Sequence, residues 1–156
     1  MTADKYRALA ELRYRIRRFL RDGDAVARAA GLEPQQYLML LAIRGLPQGD
    51  EATIRTLADR VVLKHHSAVG LIDRLEKQGY VCRNRGCDDH RLVIVSLLPP
   101  GQRVVERVAG HRITELRSNG RQLVDAINEL LEHKHPPRRG NGERNSLGRR
   151  ERKKRA

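Results

Sequence analysis

Tryptophan is absent from the 156 residues, phenylalanine occurs once and tyrosine four times. Proteins that hold unpaired bases use aromatic side chains as stacking platforms, so this composition argues against an RNA-recognition sheet or an OB-type single-strand binder. Cysteine occurs only at Cys82 and Cys87, too few for a four-thiolate zinc site, and both are expected to be reduced in a cytosol. No apolar run approaches the roughly 18 residues of a membrane-spanning helix. The N-terminal stretch is charged from Asp4 and Lys5 through Arg21 and Asp22, so no signal peptide is expected and a cytoplasmic location is the expectation. Paired carboxylates around a cleft, a Ser-His-Asp arrangement, a P-loop and a Gly-rich dinucleotide fingerprint are all missing; neither an enzyme nor a cofactor is expected. Negative charge is also scarce: 19 Asp and Glu stand against 32 Lys and Arg, for a net charge of +13. That excess favours a polyanionic partner, nucleic acid ahead of an anionic membrane surface, and the shortage of aromatics makes duplex DNA the better fit.

What is present is helical periodicity. Between Asp4 and Arg28, Tyr6, Leu9, Leu12, Ile16, Phe19 and Leu20 recur at helical spacing while Arg13, Arg15, Arg17, Arg18 and Arg21 take other faces, which predicts an amphipathic helix ending before Gly31. Pro34 suits the first turn of a second helix through Leu38, Leu41 and Ile43, stopping near Gly45-Leu46-Pro47. Its cap is imperfect on paper, because Glu33 stands where Ser or Thr is preferred. Thr53 is placed to cap a short helix with Ile54, Leu57 and Ala58. Val61-Val62-Leu63 then turns the chain into a longer helix from about His65 to Gln78, with Val69, Ile72 and Leu75 as its buried stripe and His65, His66, Ser67, Gly70 and Arg74 on the other face. Gly79 suits a left-handed C-terminal cap. A hairpin follows, pairing roughly 81–85 with 91–97 around a tip at 86–90. Pro99-Pro100-Gly101 breaks the strand. Val104, Val105, Val108, Ile113 and Leu116 mark one further helix, and Leu123, Val124, Ile127, Leu130 and Leu131 another beyond Ser118-Asn119-Gly120.

The fold class expected is therefore mainly α with a small β-hairpin wing: a winged helix-turn-helix flanked by N- and C-terminal helices. The segment 53–98 supplies helix, turn, helix and hairpin without interruption. A helix N-terminus bearing Lys64, His65, His66 and Ser67 suits a major groove, where amides and side chains meet phosphates and base edges, and Gly70 permits close approach of a backbone. Arg83 and Arg85 on the first strand are candidates for phosphate contact or solvated charge. Asp89 and Arg91 stand at the tip, where the arginine reaches toward a groove or the two pair to close the hairpin.

These motifs resemble the MarR (multiple antibiotic resistance regulator) family over roughly residues 5 to 132. The family's wing pattern, Asp-x-Arg, three variable positions, Val, one more, then Leu-Thr, is matched by Asp89, Arg91, Val95 and Leu97, with Leu98 replacing the final Thr. Asp73-Arg74-Leu75-Glu76-Lys77-Gln78-Gly79 is similar to the exit of the family's recognition helix. The resemblance implies a homodimer built by the first helix together with the last two (about 4–30 and 100–132) around a DNA-binding lobe at about 33–98. It further implies an inverted-repeat operator with half-site centres on the order of 10 base pairs apart. Arg91 is expected to enter a minor groove, where narrow A·T stretches favour a guanidinium. Relatives carry polar residues around Val69 and Gly70, which shifts base reading here toward His66 and Ser67. Some relatives take phenolic or other small aromatic anions as effectors; Tyr14 and Tyr37 would border such a cavity or serve as core. Peroxide-sensing relatives use a cysteine near the start of the first helix, and none is present there.

Residues 134–156 are read as a disordered basic tail beyond a domain at 1–133. Ten Lys and Arg against two Glu place +8 of the +13 in the tail and leave the body moderately basic. The reading is thus a homodimeric sequence-specific regulator, a repressor released by a small effector. Its competitor is an architectural or RNA-associated protein whose tail supplies most of the affinity. Adjacent His65 and His66 diverge on a helix and have no ligand at i+3 or i+4, so no metal site is expected. Cys82, Cys87 and His90 lie close enough in sequence for a thiol switch in the wing to be conceivable.

Overall fold

The computed structural model describes residues 2–85 and 92–132. Expectations for the hairpin tip at 86–90, for Asp89, Arg91 and Cys87, and for the basic tail fall outside these residues. Within them the chain runs α1 (Ala3–Ala29), α2 (Pro34–Arg44), α3 (Ile54–Arg60), α4 (His65–Lys77), β1 (Val81–Arg85), β2 (Val93–Leu97) and α5 (Pro99–Glu132). The fold class is the expected one, mainly α with a hairpin wing.

Local chemistry sets most of the boundaries. Gly31 (φ 83°) and Gly79 (φ 72°) end α1 and α4 in the left-handed conformation that glycine adopts without penalty. After α4, Tyr80 N–H reaches Leu75 O at 2.9 Å and Gly79 N–H reaches Glu76 O at 3.0 Å, the paired bonds of a Schellman stop. Thr53 Oγ1 caps α3 by accepting from Thr56 N–H at 3.1 Å. The start of α2 is better held than its sequence indicates. Glu33 N–H donates to Gln36 Oε1 at 2.9 Å, the back half of a capping box, and Gln36 Nε2 donates onward to Gln78 Oε1 at 2.8 Å. Gln36, itself buried, thereby ties the start of α2 to the end of α4.

β1 and β2 pair antiparallel in the register Val81↔Leu97 through Arg85↔Val93, so the second strand begins two residues later than expected. A bridge between Thr53 and Ile94, with Val95 N–H donating to Ala52 O at 2.9 Å, joins the hairpin's base to the segment entering α3. The core lies where these elements meet, built on Leu32, Met39, Leu40, Leu57, Leu71, Ile72, Leu75, Val81, Val95, Val105 and Val108. On α4 the buried stripe is Ala68, Leu71, Ile72 and Leu75; Val69, expected in it, is only half-buried, because the helix rotates its Ala68–Leu71 edge toward α3 and the hairpin.

Two helices were expected after the hairpin, and there is one. α5 continues through Ser118-Asn119-Gly120 for 34 residues in all. Gly and Asn weaken a helix by up to about 1 kcal/mol each, too little to end one whose flanks are already propagating against a partner. Thr114 and Ser118 turn their hydroxyls back to Gly110 O (3.0 Å) and Thr114 O (3.1 Å) and so stay within the helix. α1 runs antiparallel along α5, with Arg15 bonded to Gln122, Arg112 to Phe19 O, and Arg107 to Ala30 O.

Both long helices leave apolar side chains uncovered: Tyr6, Leu9, Tyr14 and Leu20 on α1, and Ile113, Leu116, Val124, Ile127 and Leu131 on α5. Contact between the two is close because the interface is lined by small residues. The Arg112 guanidinium lies over Gly23, where a Cβ would stand 2.7 Å from Cζ, and stacks 4.0 Å above the Phe19 ring. Arg112 also pairs with Glu115. Among the described residues no helix is long and apolar enough to cross a membrane.

Candidate nucleic-acid interface

The turn between α3 and α4 is the most strained point of the described backbone. Val62 is its one non-glycine residue with positive φ, at 54°. It occupies the position that Gly31 and Gly79 hold after α1 and α4, with the same pair of bonds: Val62 N–H to Asp59 O (3.2 Å) and Leu63 N–H to Ala58 O (2.9 Å). A β-branched residue is disfavoured there, and the side chain is 88% exposed, so it gains nothing from burial. Leu63 folds back toward the core, and the turn aims the start of α4 outward.

At that start Lys64 is the N-cap and offers no side-chain acceptor to the first amides of α4. Lys64, His65, His66 and Ser67 are all exposed, and Gly70 and Arg74 continue the same outward side while Leu71, Ile72 and Leu75 fill the core behind. A Cβ built at Gly70 would meet no atom within 4 Å. Nothing in the chain's own packing therefore calls for glycine at this position. Of these six residues the structure leaves Lys64, His65, His66, Ser67 and Arg74 exposed and Gly70 half-exposed, outside the core that α4 packs against. Among the described residues no cluster of three His, Cys, Asp or Glu is arranged to hold a metal, and His65 and His66 stand apart from the acidic residues of α4.

Arg83 is placed differently from its expectation as a free phosphate contact. It lies opposite Val95 on the inner side of the hairpin, facing α4. Its Nη2 donates to Asp73 Oδ1 at 2.5 Å, its Nη1 donates to Glu76 Oε2, and its backbone N–H donates to Glu76 Oε1 at 3.0 Å. Burial by itself would lower the guanidinium pKa, and the hydrogen bonds and charges of Asp73 and Glu76 more than offset that, so the pKa rises above its ordinary value. Asp73 and Glu76, three residues apart on α4, enter the sequence analysis only as part of the helix-exit motif, with no role assigned; the signal available was a pair of carboxylates at helical spacing ahead of a strand arginine. On the outer side of the hairpin Asn84 Nδ2 donates to Ser96 Oγ at 3.3 Å, and Cys82 is half-buried beside it. Arg85 ends β1.

The two tyrosines lie in different surroundings. Tyr14 is exposed at the mouth of a cleft of about 270 Å³ between α1 and α5, with Arg18, Phe19 and Leu123 along its walls. Tyr37 is buried on α2, where loss of solvent raises its pKa and the nearby Arg112 charge partly opposes the rise.

Comparison with known proteins bears on this arrangement. Residues 30–91 match the profile of the MarR family. The transcriptional regulator SarZ of Staphylococcus saprophyticus is 39% identical over 70 residues, which is 45% of this chain and 46% of that one; this chain thus matches about half the length of that relative. Among solved structures, the repressor CouR bound to a 23-mer DNA duplex superposes with a TM-score of 0.60 at 23% identity, covering 77% of this chain and 86% of that one. AbsC, a MarR family transcriptional regulator from Streptomyces coelicolor, gives a TM-score of 0.63 at 21% identity over 80% and 82%. At those identities the structural likeness speaks for the fold, and the profile match together with SarZ speaks for the family. By its matched lobe at residues 30–91 and its winged-helix architecture, this chain is similar to the MarR family.

Proposed function

We propose that the protein is a sequence-specific, double-stranded-DNA-binding transcription regulator. It acts as a homodimer on an inverted-repeat operator and represses transcription until a small effector, aromatic or phenolic in class, changes the spacing of its two lobes. The observation that carries the reading is the outward surface of α4. An uncapped N-terminus with Lys64, His65, His66 and Ser67 continues into Gly70 and Arg74, all aimed away from a core that fixes the helix in place. The helix dipole and free amides favour phosphate at that end, and the open space over Gly70 admits a close backbone. Arg85, Asp89 and Arg91 complete the proposed contacts from the hairpin, with Arg91 in the minor groove and Asp89 steadying it. The DNA-bound form of CouR supports the same use of the fold. The uncovered apolar faces of α1 and α5 support assembly with a second copy, since two neighbouring helices of one chain leave so many large apolar side chains exposed. The domain is proposed to end near residue 133, with 134–156 a separate basic tail in a cytoplasmic protein.

The test is selection of bound duplexes from a random pool at near-physiological salt, with the full chain and with a chain ending at Glu132. Enrichment of one inverted repeat by both is expected. The shorter chain should show weaker non-specific binding and a flatter salt dependence. Binding without enrichment would reject the reading in favour of an architectural protein whose affinity comes from the tail. Arg91→Ala should then weaken operator binding by about 1 to 3 kcal/mol while the oligomeric state stays unchanged.

A further inference from the structure

The hairpin is a two-stranded ribbon, and such ribbons are marginal without outside support. At its base support is ample: Val81 and Val95 are buried, Leu97 packs on the core, and Thr53 bridges to Ile94. Toward the tip the described contacts of β1 thin out. Cys82 and Asn84 face away from α4, and the partners of Asn84 among the described residues are Ser96 across the ribbon and Cys82 beside it. Arg83 is the furthest residue along β1 whose described side chain reaches α4. It does so through three hydrogen bonds to two carboxylates one helical turn apart, one of them from its own backbone amide.

Resting on the DNA-binding reading above, we infer that Arg83 is a positioning residue: held by Asp73 and Glu76, it latches the hairpin to the recognition helix at a set angle and does not itself touch DNA. A planar guanidinium shared between carboxylates fixes direction as well as distance, which a single lysine contact cannot do. The latch also neutralises acidic charge on α4. Asp73 and Glu76 directly precede Arg74 and Lys77, respectively, on the helix that is to face phosphates, and without Arg83 their charge would oppose the approach of DNA. Loss of Arg83 removes both effects, whereas loss of the Glu76 charge removes only the positioning.

The two roles open to Arg83 predict opposite outcomes for a change made on α4. With the duplex selected by the wild-type chain, Glu76→Gln and Arg83→Ala should each weaken binding roughly fivefold, a size set by a charge network only partly screened from water. The double variant should be no weaker than Arg83→Ala alone, because both act on one unit. The salt slope should stay the same in all three, and Arg83→Lys should recover only part of the loss. If Arg83 were a phosphate contact, Glu76→Gln would free it and leave binding equal or tighter, and Arg83→Ala would lower the salt slope by about 1; that pattern overturns the inference. A second readout needs no DNA. In the free protein Glu76→Gln should speed hydrogen exchange at the Arg83 amide and along β2 while the amides of α4 from Ala68 to Leu75 keep their protection. If the wild-type chain selects no duplex, the DNA-binding reading fails and this exchange experiment decides the latch by itself; unchanged exchange across the hairpin would refute it.

Discussion

Gly101 offers the sharpest test of how the lobe is joined to the long helix. It sits in the first turn of α5, buried, with its Cα turned onto the backbone of Tyr80. A Cβ added there would stand 2.1 Å from Tyr80 O, 3.0 Å from Tyr80 C and 3.2 Å from Tyr80 Cα. These are main-chain atoms, so no side-chain rotation relieves the clash. The same carbonyl accepts from Leu98 N–H at 2.9 Å, and Tyr80 closes the stop of α4 through Leu75 O, so moving it disturbs the end of the recognition helix and the base of the hairpin at once. Overpacking of this kind costs about 1 to 3 kcal/mol and a strained hydrogen bond about 1 more, against a gain of somewhat under 1 from replacing glycine in a helix. The net expectation for Gly101→Ala is a loss of about 1 to 3 kcal/mol, a sizeable share of the roughly 5 to 15 that holds a domain together. At about 3 °C per kcal/mol for a chain of this size, the melting temperature should fall by about 3 to 9 °C. Gly70→Ala is the control. It lies within α4 with no atom near the added Cβ, so the same chemical change should raise stability by up to about 1 kcal/mol. The assay is thermal and urea unfolding at one fixed protein concentration, because assembly would otherwise shift the midpoint. Equal effects at the two positions, or a stable Gly101→Ala, would refute the packing argument.

Three further outcomes follow from the geometry. Val62→Asn places a residue tolerant of positive φ in the α3–α4 turn and should raise the melting temperature by about 2 to 4 °C; no rise would mean the valine is unstrained. Arg112→Leu strips Glu115 of its partner and removes the stack on Phe19, with an expected loss of roughly 3 kcal/mol in urea unfolding, and adding Glu115→Leu should recover part of it; a loss below 0.5, an order-of-magnitude threshold for surface changes, would show that the α1–α5 clasp is incidental. Tyr37 holds its proton more tightly folded than unfolded, so its contribution is complete below the unfolded value of about 10 and is lost as pH climbs through the raised folded value; wild-type stability should fall faster than that of Tyr37→Phe between about pH 9.5 and 11, and parallel curves would contradict this.

Much of this protein is legible in its sequence for local reasons. The starts and stops of α3 and α4 depend on Thr53, Gly79 and an apolar repeat, all within a turn or two of the residues they govern. The hairpin and its base follow from the β-branched run at Val93–Leu97, and the outward residues of α4 from Lys64 to Arg74 follow from helical period alone. Where the reading went astray, the deciding partner was distant. Ser118-Asn119-Gly120 looks like a break until α1 lies alongside. Glu33 looks like a weak cap, yet Gln36 closes a capping box with it and is held in place by Gln78, 42 residues on.

Sequence by itself thus determined the order of elements as far as the hairpin, the winged helix-turn-helix and which helix surface faces outward, because periodicity, caps and turn residues act through neighbours in the chain. Only the tertiary structure decided that Arg83 turns inward to Asp73 and Glu76, that Arg112 closes over Gly23 and Phe19, and that Gly101 must lack a side chain. Each of those depends on which long-range groups meet at contact distance, and a guanidinium or a missing Cβ has no partner until folding supplies one.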